Sequence, residues 1–175
     1  MARIIGYIAA SLDGYIAGQG DNMDWLAAYD GMDLGEHDFA SFMARVRTIV
    51  MGRATYDFLE QSEADWPYGA HQVFVVTSRP ITGRKGPVEA RQDIDRLIDE
   101  MRTLDEGPVW MLGGGRLQMA FMERGALDEI EIFVFPELLG GGTPLFPATG
   151  LRSSLRLIRA TTLDRGCVRL HYSFE

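Results

Sequence analysis

A chain of 175 residues with 46% hydrophobic and 24% charged residues has the make-up of an ordinary globular protein. One domain spanning residues 1–175 is the natural expectation, and a chain of this size buries about 70% of the surface its unfolded form exposes. A formal charge of −8 excludes the broad basic field that general nucleic-acid or anionic-membrane binding requires, so any phosphate ligand must be held by local positive groups.

Arg3 to Ala10 is an apolar, β-rich run that breaks at Asp13-Gly14, a turn signal, and Tyr15-Ile16-Ala17 returns over the sheet edge. Gly18 to Gly35 is polar and acidic with Trp25 embedded in it. It reads as a solvated loop or as a mobile loop that closes an aromatic over a ligand. From Glu36, the residues Phe39, Phe42, Met43 and Val46 recur at i, i+3, i+4, i+7, which predicts an amphipathic helix. Thr48 to Met51 is a buried strand that ends at Gly52-Arg53-Ala54-Thr55, where a second helix begins. Gln72 to Thr77 is a third strand closed off by Thr77-Ser78-Arg79-Pro80. Ile81 to Pro87, with Arg84 and Lys85, reads either as a contact for a phosphate or as a basic turn.

Ile94, Leu97, Ile98 and Met101 mark a further helix with Asp93 as its N-cap. Val109 to Leu112 is an apolar run that opens at Gly113-Gly114-Gly115 into a helix carrying Leu117, Ala120 and Phe121. Such a turn admits a ligand close to the backbone and presents first-turn N–H groups to an anion, although a ligand-free turn has the same appearance. The spacing is not the dinucleotide fingerprint, because Gln118 stands where the third glycine belongs. Ile130 to Phe135 is a strand, Pro136 to Pro147 a Gly- and Pro-rich loop, and the tail alternates. Val168, Leu170, Tyr172 and Phe174 against Arg169, His171 and Ser173 predict a half-buried antiparallel hairpin with His171 on its solvent face. Strand–helix alternation followed by β-only sequence predicts an α/β fold with helices on both faces of a mostly parallel sheet.

Three strands therefore end in Gly52-Arg53-x-Thr55, Thr77-Ser78-Arg79 and Gly113-Gly114-Gly115-Arg116. If they are parallel neighbours, these signatures converge on one crevice suited to a phosphate-bearing ligand. Of the 17 basic residues only Lys85 is lysine; the 16 arginines suit bidentate phosphate recognition. The single cysteine, Cys167, excludes an intramolecular disulfide and a cysteine-based zinc cluster. His37, His71 and His171 are isolated, so no metal site is expected, and no serine has a histidine partner for a triad. The absence of a signal-like N-terminus or an 18-residue apolar run leads to the expectation of a cytoplasmic protein.

Four motifs in order carry a resemblance: Ala9-Ala10-Ser11-Leu12-Asp13-Gly14-Tyr15-Ile16-Ala17, Val50-Met51-Gly52-Arg53-Ala54-Thr55-Tyr56, Leu112-Gly113-Gly114-Gly115, and Pro136-Glu137-Leu138-Leu139-Gly140-Gly141-Gly142-Thr143-Pro144-Leu145-Phe146. The chain resembles the dihydrofolate reductase-like superfamily, and within it the reductase domain of the bifunctional riboflavin-pathway deaminase–reductase. The resemblance implies a three-layer α/β/α fold, NADPH as cofactor and a homodimer. It places Gly52, Arg53 and Thr55 at the cofactor phosphates, and Thr77, Ser78 and Arg79 around the adenosine ribose and its 2′-phosphate. It places Gly113, Gly114, Gly115, Arg116 and Leu117 at the pyrophosphate, with Ala9 and Ile16 flanking the nicotinamide. The chain departs from the riboflavin enzymes at Asp57 to Glu63, where a substrate-gripping Asp-Pro-x-Leu-x-x-Arg segment is replaced by an acidic one. It carries no H-x-E…P-C-x-x-C deaminase signature.

The expected activity is NADPH-dependent reduction of a pyrimidine- or pterin-like heterocycle. The family-level reaction is 5-amino-6-(5-phosphoribosylamino)uracil reduction, folate reduction is the alternative, and non-catalytic NADPH binding is the reading from another class. Asp38, Glu36 and Asp24 are the candidate acids, with Asp38 preferred because it opens the helix before Phe39. Tyr7 and Trp25 are candidates to stack on the substrate ring, although Tyr7 is equally placed to be a core aromatic.

Overall fold

The computed structural model describes residues 1–83, 85–104 and 107–175, so Arg84 lies outside the described residues. The elements are β1 (Ile4–Ser11), β2 (Tyr15–Ala17), α1 (Phe39–Arg45), β3 (Thr48–Gly52), α2 (Arg53–Gln61), β4 (Gln72–Val76), β5 (Val88–Arg91) and α3 (Ile94–Arg102). They continue with β6 (Val109–Gly113), α4 (Gly115–Glu123), β7 (Glu129–Phe135), β8 (Thr143–Pro144), β9 (Leu155–Thr162) and β10 (Val168–Phe174). The main sheet has the order β5-β4-β3-β6-β1-β7-β10-β9, parallel from β5 to β7, with β10 antiparallel to both its neighbours. β2 and β8 form a separate antiparallel pair.

The period-2 alternation of the strands divides the core in two. Ile4, Val50, Phe74, Met111 and Ile130 face Leu97 and Met101 of α3 and Leu117 and Phe121 of α4. Ile5, Ile49, Met51, Val73, Val75 and Trp110 face Phe42 of α1 and Tyr56 of α2. Full burial of each such large side chain stabilises the fold by about 1.5–3 kcal/mol. The result is the three-layer α/β/α arrangement with an antiparallel wing at one edge. Among the described residues, no helix is long and apolar enough to cross a membrane.

The helix starts fall into two kinds. Asp38 caps α1 by accepting from the Ser41 N–H at 2.6 Å, and Asp93 caps α3 by accepting from the Arg96 N–H at 3.0 Å. α2 and α4 instead start at Gly52 and Gly114, with no side-chain cap. At its other end α2 is closed by Lys85, whose ammonium donates to the carbonyls of Leu59, Ser62 and Ala64. Lys85 is thus a helix C-cap, the structural half of the choice that the sequence left open.

Several sequence expectations are corrected. The helix starts at Phe39, because Asp38 is its cap; Glu36 lies one turn earlier in a separate 3-10 turn, Gly35–His37. Val88–Arg91, unassigned from sequence, pairs with β4 as an edge strand, its short half-exposed pattern giving no clear alternation. Residues 19–37 are more than a solvated loop: they coil into short 3-10 turns whose Trp25, Leu26, Tyr29, Met32 and Leu34 pack on Phe133, Phe135 and Cys167.

The polar face of β10 does not point to solvent. Arg169 and Glu131, each 5% exposed, form a buried ion pair at 2.7 Å. His171 lies 2.9 Å from the Glu129 carboxylate. A strict alternation reads as polar-out only if the second face is open, and here it closes over cross-strand partners.

Candidate functional site

The strands β4, β3, β6 and β1 are parallel neighbours, so their C-terminal ends lie along one edge. From that edge α2 leaves β3 to pack on the Met51–Trp110 face, and α4 leaves β6 to pack on the Val50–Met111 face. Adjacent strands whose following helices depart to opposite faces open a crevice, the position at which α/β sheets bind ligands. Gly52 and Gly113–Gly114 form its walls: a Cβ on Gly52 would stand 3.8 Å from the Gly113 carbonyl and the Gly114 nitrogen.

Both helices meet this crevice uncapped, so their first-turn N–H groups and positive dipole ends face the same space. Gly113 has φ +122, a value that disfavours any side chain, and its peptide bond to Gly114 is cis. At Gly114 φ is −69, open to any residue, yet an added Cβ would point toward the Thr55 hydroxyl at 3.6 Å. Glycine there keeps the space between the two helix starts clear. The donors and the cleared cradle fit a pyrophosphate.

The remaining members of the third signature have other duties. A Cβ on Gly115 would meet the Pro144 carbonyl at 3.0 Å, so this glycine lets the 143–147 segment approach. Leu117 points into the core, leaving only its backbone for a ligand, whereas Arg116 is exposed. Gln118, occupying the place of a third glycine, is buried and donates to the Leu145 carbonyl at 3.1 Å.

At the β3 and β4 ends the second signature forms a closed polar knot. Thr77 is buried, and its hydroxyl oxygen accepts from the Arg79 N–H at 3.1 Å. Arg53 donates through Nη1 to the carbonyls of Pro80 (3.0 Å) and Arg79 (3.3 Å), which fixes the 77–80 turn to α2. Its Nε donates to Asp57 at 2.6 Å, and Arg79 reaches the other oxygen of Asp57 at 3.5 Å. Ser78 and Arg79 are exposed, the Arg79 side chain at 67%. Asp57, which in the sequence is one residue of an acidic segment, is a member of this cluster. Its i, i+4 spacing from Arg53 on a helix was the available signal.

Across the crevice, the first and last resemblance motifs clasp each other. Asp13 accepts from the Ser11 hydroxyl (2.6 Å), the Leu139 N–H (3.1 Å) and the Gly140 N–H (2.8 Å). These hydrogen bonds, led by that of Ser11, hold its carboxyl below the usual range. Leu12 N–H donates to the Glu137 carbonyl and Tyr29 hydroxyl to the Glu137 carboxylate, at 2.9 and 2.7 Å. The clasp ties together the segments that carry Ala9, which lies on β1 and pairs with Phe133, and Ile16, which lies on β2.

Tyr7 lies two residues before Ala9 on the same face. Its ring stacks on Phe42 at 4.1 Å and tilts against Phe133 at 4.7 Å, and its hydroxyl donates to the His37 carbonyl at 2.8 Å. Burial, then the Glu131 and Asp38 charges, push its pKa far up, so it stays protonated. Trp25 packs edge-on against Phe135 at 5.8 Å. Its buried Nε1 has no hydrogen-bond partner among the described residues. Tyr7, Ala9 and Trp25 therefore share the Phe133–Phe135 patch.

The three candidate acids are spread out. Asp24 is exposed and accepts from the Asn22 side-chain amide, and the Glu36 side chain is 78% exposed. Asp38 stands closest to Tyr7 in effect, and the Ser41 N–H holds its carboxyl below the ordinary range. Among the described residues no group of three or more histidine, cysteine, aspartate or glutamate side chains is placed to hold a metal ion.

Comparison with known proteins gives a consistent picture. The family model of the RibD C-terminal domain matches residues 2–169. The uncharacterized protein YwjB of Bacillus subtilis (strain 168) is 33% identical over 171 residues, covering 97% of each chain. A Shewanella sp. PV-4 protein, provisionally named for riboflavin biosynthesis, superposes with a TM-score of 0.86 at 31% identity, covering 100% of this chain and 99% of that one. Dihydrofolate reductase from Enterococcus faecalis, solved with NADP(H), shares the fold with a TM-score of 0.66 at 16% identity, covering 99% and 96%.

Proposed function

The chain belongs to the RibD C-terminal domain family, and from that premise we propose that it is an NADPH-dependent reductase of a small planar heterocycle, pyrimidine- or pterin-like. The observation that carries this reading is the crevice between two uncapped helix starts at Gly52 and Gly114. Its donors suit a pyrophosphate, and Arg79 stands at the ribose end. In this reading Gly52, Arg53, Thr55 and the Gly113–Leu117 backbone hold the phosphates, with Thr77, Ser78 and Arg79 around the adenosine ribose. Ala9 and Ile16 flank the nicotinamide. The bound cofactor supplies the hydride; the protein supplies position and charge.

Tyr7 and Trp25 form the walls for the acceptor ring. Asp38, whose carboxyl is held below the ordinary range, accepts a hydrogen bond from a ring N–H and so raises the basicity of the acceptor, and the proton that accompanies the hydride comes from solvent water. Glu36 and Asp24 are exposed, so they are the weaker choices.

The family-level reaction is 5-amino-6-(5-phosphoribosylamino)uracil reduction, and dihydrofolate is the alternative acceptor. The test is consumption of NADPH by the purified protein with each compound. Oxidation dependent on either acceptor, with Asp38→Asn lowering kcat while NADPH binding is kept, supports the reading. Asparagine is itself a good N-cap, so α1 should survive the change. Tight NADPH binding without turnover of any heterocycle would instead favour a non-catalytic NADPH-binding protein.

We further propose a homodimer in the cytoplasm. β9 is an edge strand with Leu157 51% and Ile158 44% exposed, a combination prone to pairing with another chain. Leu157→Asp should convert the dimer to a monomer in sedimentation; a wild-type monomer would reject it.

A further inference from the structure

The Arg53–Asp57–Arg79 cluster holds a carboxylate where the proposed reading puts a phosphate. Asp57 Oδ1 takes the Arg53 Nε–H at 2.6 Å and Oδ2 takes Arg79 Nη2 at 3.5 Å, so one acid bridges the two arginines. The pairing is built by the fold. Arg53 and Asp57 are one turn apart on α2, and Arg79 is brought over by the 77–80 turn that Arg53 itself ties down. The Arg53 and Asp57 side chains are 20% and 34% exposed, so their charges are screened less than those of a free surface pair. Arg53 is further occupied by the Pro80 carbonyl, which leaves Arg79, 67% exposed, as the more accessible of the two arginines.

We propose that Asp57 sets the cofactor preference of this protein by competing with the ribose 2′-phosphate for Arg53 and Arg79. This rests on the nicotinamide-cofactor reading above. A dianionic 2′-phosphate entering beside Arg79 meets the Asp57 carboxylate and must draw the arginine away from it. A free 2′-hydroxyl carries no such charge and can donate to the same carboxylate, the kind of hydrogen bond by which a ribose-facing acid favours NADH in Rossmann folds. Asp57 therefore weakens NADPH binding and supports NADH binding, so the wild-type protein discriminates less between them than its arginines alone would allow.

The experiment measures binding by tryptophan fluorescence, independent of turnover, for NADPH, NADH, adenosine 2′,5′-bisphosphate and 5′-AMP. It compares the wild type with Asp57→Asn and Asp57→Ser, with thermal melts to establish that both variants fold. Removing one exposed-to-intermediate charge is expected to tighten NADPH and the bisphosphate about fivefold, while NADH and 5′-AMP stay level or weaken. Adding Arg79→Ala to Asp57→Asn should abolish that gain, because the released arginine is what the phosphate recruits. If both folded variants bind NADPH no better than wild type, or more weakly, Asp57 orients the arginines for the phosphate and the proposal is overturned. If neither nucleotide binds wild type or variants, the cofactor reading itself falls and takes this inference with it.

Discussion

The two sides of the crevice are finished differently. On the β3–β6 side, two helices begin on glycine and leave their first N–H groups without side-chain partners. On the β1–β7 side, the charged groups and the Tyr7 hydroxyl are matched within the chain, with the buried Trp25 Nε1 the exception: Asp13 by Ser11, Leu139 and Gly140, Glu131 by Arg169, and Tyr7 by the His37 carbonyl. Unmatched backbone donors are costly in a closed structure and useful in a site, since a ligand satisfies them without displacing anything. Matched groups instead lend rigidity. The comparison teaches that one side keeps backbone donors open in a way that suits an anion, whereas the other is a rigid aromatic wall closed largely by its own contacts.

The sharpest way to break the comparison is on the matched side. Arg169→Met leaves the Glu131 carboxylate buried without its main partner and should destabilise the protein by about 3–5 kcal/mol in urea unfolding. Adding Glu131→Leu should recover most of that loss; if it does not, the pair does more than satisfy itself. On the unmatched side the cost should fall on ligand, not fold. Gly114→Ala has backbone angles that alanine accepts, so its melting temperature should stay near wild type. NADPH affinity should drop at least about tenfold, or 1.4 kcal/mol. Asp13→Ala opens the clasp and should speed amide exchange at Leu139 and Gly140 while lowering the melting temperature modestly.

The smallest effect concerns His37, whose pKa is lowered from 6.5 by burial and then by the Arg169 charge. The unfolded chain thus binds this proton more readily than the folded one. The stability involved is complete above the unfolded value and is lost as pH falls through the lower folded value. His37→Gln should flatten the fall in melting temperature between about pH 7 and pH 5.

Much of this was legible beforehand, and for physical reasons. Periodicity located β3, β4, β6 and the helices after them, and the repetition of glycine or polar signatures at three strand ends pointed to one crevice because parallel strands end together. Asp93 and Asp38 stand where caps belong, but only the structure shows that capping holds the Asp38 carboxylate in its ionised form. What stayed hidden depends on long-range closure. The Asp13 clasp joins residues 126 or more apart in sequence, and the Arg169–Glu131 pair is 38 apart. Local alternation therefore marked the β10 face as wet. Likewise, nothing in the 18–35 composition announces that Trp25 and Tyr29 will find Phe135.

The central claim is that the crevice between Gly52 and Gly114 binds the phosphates of a nicotinamide dinucleotide. A titration of the purified wild-type protein with NADPH, read by quenching of its three tryptophans and repeated on Gly114→Ala, tests it most directly. The account predicts saturable binding at about micromolar concentration, corresponding to about −8 kcal/mol, that the added methyl group weakens. Binding that is absent, or that is indifferent to the methyl group, would contradict it.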